Sequence, residues 1–188
     1  MRVDELSRRF GDRIQIEWKA FLLRPVAKER DQGEFVAYTD SWLRPAALEP
    51  AAEFQTWATD NPAPTGSLPA HIAAKAMAGF APDAAEAFHR RLLGAYFTEN
   101  RTISDWGVLG DVASEVGIDR DSFLSIAREQ EPSLAALVIE EHNSAIESGV
   151  TAVPTIVIDD VLPVQGAQDA DTYEVWINRL LDHRRNAT

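Results

Sequence analysis

No cysteine occurs in the 188 residues of this chain. That absence excludes disulfides, thiolate metal sites and thiol nucleophiles made from its own side chains. Lysine is scarce as well, standing only at Lys19, Lys28 and Lys75. Basic residues number 18 against 30 acidic ones, a formal net charge of −12. Such a surface repels nucleic acid and anionic membrane, so neither is an expected partner. No run of residues approaches transmembrane length, and the start MRVDELSRRFGD lacks the apolar centre of a signal peptide. The expected compartment is therefore the cytoplasm. There is no phosphate-cradling glycine loop and no Gly-x-Ser-x-Gly elbow. His71, His89, His142 and His183 have no ligand spacing, and Glu140, Glu141 and His142 are adjacent on a helix and so point apart. No cofactor and no metal are expected.

What is present suits one globular domain. Apolar residues make up 45% and charged residues 26% of the chain, an ordinary soluble balance. Val3, Leu6 and Phe10 share a helix face that Gly11 ends. No capping residue precedes this helix, which reads as the back half of a longer one. Ile14, Ile16, Trp18 and Phe21 then alternate like a strand near 13–22. Residues 26–70 are broken by prolines yet rich in aromatics, and read as a packed loop with short helices. From Pro69 to Gly149 the period is helical. The predicted starts include Ser104 or Asp105, Asp119 and a first-turn Pro132. Two strands near 154–158 and 161–165 follow, joined by Asp159 and Asp160 as a hairpin turn. Asp169 or Asp171 caps a last helix bearing Tyr173, Trp176, Ile177, Leu180 and Leu181.

The order half-helix, strand, helical block, hairpin, helix resembles the DsbA-type thioredoxin fold with its helical insertion, and within it the FrnE-like branch of thiol–disulfide oxidoreductases. The matching stretches are WKAFLLRP at 18–25, SLPA at 67–70, RLLGAYF at 91–97 with ISD at 103–105, GVTAVPT at 149–155 and GAQ at 166–168. The resemblance implies an α/β thioredoxin-like fold in a single domain over 1–188. Its thioredoxin part would be 1–25 and 149–188, with an all-helical insertion over about 66–148. It also implies a first strand and a Cys-x-x-Cys that this sequence does not contain. That strand lies centrally in the family sheet, between the strands matching 13–22 and 154–158. Unpaired backbone there is costly. Three arrangements answer it: a segment preceding Met1, a second copy or partner supplying the strand, or a sheet rearranged around three strands.

The same resemblance makes Val153-Pro154 a cis-proline loop, with Thr151 and Ala152 leading into it. In the family the backbone before the proline pairs with a peptide or with a small thiol such as glutathione. Read from the residues alone, Pro154 simply opens a buried strand. Trp42 and Trp57 are open to two readings, as the wall of a substrate groove or as core. No catalytic residue is assigned, because exchange needs a thiolate of lowered pKa and Ser7 lies mid-helix without a base. The functional expectation is a thiol–disulfide oxidoreductase of the DsbA/FrnE-like family whose catalytic cysteines lie outside this chain. The alternatives are a non-catalytic thioredoxin-fold binding module and a glutathione-dependent isomerase or transferase of the 2-hydroxychromene-2-carboxylate isomerase type. Ala167-Gln168 argues against the last, which tends to carry an aspartate-arginine pair there. The expected partners are a thiol or disulfide peptide or a glutathione-like thiol, and a homodimer that supplies the missing sheet edge.

Overall fold

In chain order the elements are α1 (Arg2–Phe10), α2 (Gln32–Thr39), α3 (Leu43–Leu48), α4 (Leu68–Phe80), α5 (Pro82–Phe97), α6 (Trp106–Glu115), α7 (Arg120–Glu129), α8 (Glu131–Glu147), β1 (Thr155–Ile158), β2 (Leu162–Gln165) and α9 (Ala170–Asn186). The structure is a computed structural model and describes residues 2–186. It divides into two compact units, Met1–Phe21 with Glu141–Thr188, and Leu22–Glu140.

In the first unit α1 packs against α9 and the hairpin. Leu6 and Phe10 are buried with Val164, Ala170 and Tyr173, while Ile156, Ile158, Trp176 and Leu181 pack around them. Leu6 and Phe10 belong to the apolar face read from the sequence, and Val3, its third member, is half-buried outside this cluster. Gly11, with φ +54°, ends the helix. Arg9 donates to Asp171 and to Glu174, each at 2.6 Å, which pins α1 to the start of α9. The Asp169 carboxylate accepts from the Thr172 amide at 2.7 Å and caps α9.

The sheet has two strands among the described residues, β1 and β2, antiparallel in the register Thr155–Gln165, Ile156–Val164, Val157–Pro163 and Ile158–Leu162. Asp159 and Asp160 turn the chain with φ of 59° and 58°, the signature of a type I′ turn. The strand expected near 13–22 does not form. Residues 14–20 belong to no ladder, and Ile16 and Trp18 are 40% and 44% exposed. The physical reason is the lack of a partner strand. Where a ladder bond was expected, the Ala20 amide donates to the Glu141 carboxylate at 2.7 Å instead. The Phe21 ring meets His142 edge-on at 5.0 Å. Glu141 and His142, which sequence spacing excluded only as a metal pair, hold this segment in place.

The second unit is helical and takes in the region 26–70 and the expected insertion as far as Glu140, while 141–148 fall in the first unit. Ala73, Ala76 and Met77 of α4, Phe88 and Leu92 of α5, Leu109 and Val112 of α6 and Phe123 of α7 form its core. They fall within the stretch from Pro69 to Gly149 whose period is helical in the sequence. The amide of Val108 donates to Asp105, and that of Ser122 to Asp119, so these aspartates cap α6 and α7. Ser104 instead accepts from the Thr65 amide at 3.1 Å. Gly110 lets α6 approach α7 closely, since a Cβ there would lie 2.8 Å from Leu124. Beside this core sits an aromatic cluster. Phe35, Trp42 and Trp57 are buried, and Tyr96, Phe97 and Phe54 pack against them. Asn100, with φ +53° and buried, ties the surrounding loops. Its Oδ1 accepts from Ala58, its Nδ2 donates to Gln55, and its carbonyl accepts from Thr59 and Asn61.

Candidate functional site

The loop from Gly149 into β1 is built by backbone bonds from the end of α8. The amides of Gly149 and Val150 donate to the carbonyls of Ile146 and Ala145, each at 2.9 Å. Gly149 has φ +83°, a conformation that favours glycine. Val150 is buried and anchors the turn, after which residues 151–154 are exposed. The Val153–Pro154 peptide is cis.

Side chains then fix the loop's shape. The Gln165 amide donates to the Gly149 carbonyl at 3.1 Å, and its Oε1 accepts from the Thr151 hydroxyl at 3.1 Å. Thr155 donates its hydroxyl to the Ala152 carbonyl at 2.6 Å. The Gly166 amide donates to the Pro154 carbonyl at 2.8 Å. Tyr173, on α9, donates its hydroxyl to the Gly166 carbonyl and accepts from the Gln168 amide. The GAQ stretch at 166–168 is therefore the far wall of the same loop.

Val153 stands out in this frame. Its side chain is 44% exposed. Its N–H and C=O make no hydrogen bond among the described residues. The bond from Gly166 to Pro154 sets the phase of the ladder. Bonded and non-bonded pairs alternate, so Ile156 and Ile158 bond to β2, while Thr155 and Val157 turn their N–H and C=O to the other edge. That edge has no strand beside it among the described residues. The outer edge of β2 differs: Pro163 sits at a non-bonded position, where its missing N–H leaves the ladder intact and blunts that side.

The structure thus brings Thr151, Ala152, Val153 and Pro154 together as one exposed loop. Trp42 and Trp57 lie in the other unit. They are 6% and 2% exposed, their rings packed against Tyr96, Phe97 and Phe35, and the Trp57 indole N–H donates to the Asn61 carbonyl. That burial supports the core reading of both. Sequence reasoning missed Gln165, the clamp on both Gly149 and Thr151, because an exposed glutamine ending a strand carries no signal of its own. Among the described residues no three His, Asp or Glu side chains are grouped to hold a metal ion, and no helix is long and apolar enough to cross a membrane.

The family described as the DSBA-like thioredoxin domain matches residues 1–178. YwbO of Bacillus subtilis is 27% identical over 176 residues, covering 89% of this chain and 83% of YwbO. A probable DsbA oxidoreductase from Streptomyces coelicolor superimposes with a TM-score of 0.73 at 19% identity, covering 95% of this chain and 81% of that one. The cytosolic disulfide reductase DsbM from Pseudomonas aeruginosa, solved with GSH, superimposes with a TM-score of 0.69 at 18% identity, covering 98% of this chain and 91% of DsbM. At these identities the solved structures share the fold.

Proposed function

Because this chain belongs to the DSBA-like thioredoxin domain family, we propose that it is the substrate-holding part of a thiol–disulfide exchange site of the DsbA/FrnE-like kind. The substrate is a peptide carrying a thiol or disulfide, or a small glutathione-like thiol, laid extended along Val153. The observation that carries this reading is the exposed Val153 with its amide and carbonyl unbonded among the described residues, in line with the open edge of β1. A free donor and acceptor at a strand edge take up an extended backbone as an added strand. The fold shared with a reductase solved with GSH supports the small-thiol form of the substrate. That neighbour is a cytosolic reductase, which supports a cytoplasmic setting. Exchange proceeds by attack of a thiolate on a disulfide sulfur. No side chain of this sequence supplies that thiolate, so its own residues bind and orient the sulfur-bearing partner.

The test is a titration of the 188-residue chain with S-methylglutathione and, separately, with a short disulfide-bearing peptide, followed by amide NMR. Saturable shifts at Val153, Thr155 and Val157 are expected. Shifts absent from all three, with both ligands in excess, overturn the reading. A second reading, a non-catalytic binding module, is favoured by the lack of cysteine. It and the first both expect this chain alone to leave the rate of insulin reduction by dithiothreitol unchanged, so turnover by the chain alone would exclude both. The open edge of β1 is also where a second copy would add its strand. Sedimentation at rising concentration separates that dimer from peptide binding.

A further inference from the structure

We propose that the helical unit carries an oxyanion-binding site formed by Arg24 and Arg30 with the hydroxyls of Tyr38 and Tyr96, and that it takes the carboxylate or phosphate group of a small anionic ligand.

The site lies on a loop fastened at both ends. The Arg24 amide donates to the Ser67 hydroxyl, and its carbonyl accepts from the Ser67 amide, both at 3.2 Å. The Lys28 amide donates to the Thr65 carbonyl at 2.9 Å. Gln32 donates to the Asn61 carbonyl and accepts from the Ala63 amide. The segment between Arg24 and Gln32 is thus held along residues 61–67 by bonds that leave both arginine side chains uncommitted.

Carboxylates outnumber basic residues by 30 to 18. Arg9, Arg90, Arg91, Arg101, Arg120, Arg128 and Arg184 each pair with one or more carboxylates. Arg24 and Arg30, both half-buried, have none among the described residues. Burial sets these two arginines apart from Arg8, Arg13, Arg44 and Arg179, which also have no carboxylate partner among the described residues but are exposed. The Arg24 Nε is sealed from solvent with no hydrogen-bond partner. A buried cationic donor without an acceptor is costly, and an oxyanion is the acceptor whose shape and charge match a guanidinium. Arg30 is stacked over Phe35 at 4.4 Å and over Tyr38 at 5.2 Å, which holds its planar group while leaving its N–H edges free of protein acceptors.

The ring network places Tyr96 beside them. It packs on Trp57 at 5.8 Å, and Trp57 packs on Phe35 at 4.9 Å. The Tyr96 hydroxyl has no hydrogen-bond partner among the described residues. Tyr38, Arg30 and Arg24 act on it electrostatically. Burial pushes the Tyr96 hydroxyl up to about 12, so it remains a donor at neutral pH. Two guanidiniums and two phenol hydroxyls thus share one neighbourhood beside the aromatic cluster, with Arg30 held against Tyr38 and both arginines acting on Tyr96.

The test reads the Nε–Hε signals of the arginines in the whole 188-residue chain by nitrogen-edited NMR. The probes are S-methylglutathione, which offers carboxylates without a free thiol, and inorganic phosphate, each at matched ionic strength against sodium chloride. The expected result is a saturable shift of the Arg24 and Arg30 signals with at least one probe. Arg24→Gln and Arg30→Gln are each expected to weaken that binding at least tenfold. Which probe saturates identifies the ligand class. A linear drift equal to that in sodium chloride overturns the proposal, as does saturation undiminished in Arg30→Gln. The wild-type titration stands alone if Arg24→Gln fails to fold. These signals are separate from the Val153, Thr155 and Val157 amides, so loss of one reading does not carry the other with it.

Discussion

The Tyr173 hydroxyl donates to the Gly166 carbonyl at 3.1 Å and accepts from the Gln168 amide at 3.3 Å. One phenol on α9 therefore closes the turn that follows β2, and its ring is 2% exposed. Replacing Tyr173 by Phe keeps the ring and removes the hydroxyl, leaving a carbonyl and an amide to find water. The expected cost is about 1–2 kcal/mol, measured by denaturant unfolding. An unchanged midpoint would show that solvent already serves both groups.

The phase of the β1–β2 ladder makes a prediction for amide exchange. Ile156 and Ile158 bond to β2, and Thr155 and Val157 face the open edge. Thr155 and Val157 are expected to exchange markedly faster than Ile156 and Ile158 in the isolated chain. Equal protection of the two sets would mean that something covers that edge in solution. Added ligand or raised protein concentration should slow Thr155 and Val157 selectively if the edge accepts a strand.

Two non-glycine residues share a left-handed backbone and should respond oppositely to glycine. Glu53 has φ +52° and is exposed. Glu53→Gly removes backbone strain and is expected to stabilise by up to about 1 kcal/mol. Asn100 has φ +53° but is 3% exposed, with its side chain bonded to Ala58 and Gln55. Asn100→Gly gains the same relief and strands both partners. A net loss of roughly 2 kcal/mol is expected. Parallel thermal melts of the two variants check the difference in sign.

Burial holds His89 below its ordinary value, with Arg90 adding to the fall and Glu86 opposing it. The folded state therefore favours the neutral ring more than the unfolded chain does. This contribution is fully present above the unfolded value near 6.5 and is lost as pH falls through it toward the lowered folded value. Unfolding midpoints taken from pH 7.5 down to 5.5 should decline, and His89→Gln should flatten part of that decline. An identical slope in the variant would assign the decline to other groups.

Much of this was legible in the sequence, for identifiable reasons. Helix faces such as Ala73, Ala76 and Met77 or Leu109 and Val112 repeat at helical spacing and bury as that spacing implies. Asp119 and Asp105 sit where a cap must sit. Asp159 and Asp160 tolerate the positive φ that a tight hairpin needs. The failure at 14–22 has the opposite character. Ile14, Ile16 and Trp18 alternate as a strand should, but alternation describes a surface seeking a partner and cannot supply one. The roles of Gln165 and Glu141 were invisible for a different reason: each depends on a backbone group far away in sequence, Gly149 or Ala20, and neither residue type signals such a bond. His89 is half-buried on α5, a placement about which its lack of ligand spacing said nothing.

Pro163 leaves this sheet with one closed side and one open side. If two copies met through their open β1 edges, the result would be a four-stranded ribbon with Pro163 on each outer strand. Neither outer strand would then recruit a third molecule well. Self-association through this hairpin is thus self-limiting: it ends at a pair and does not propagate into a fibre, even for a chain that leaves one strand edge bare.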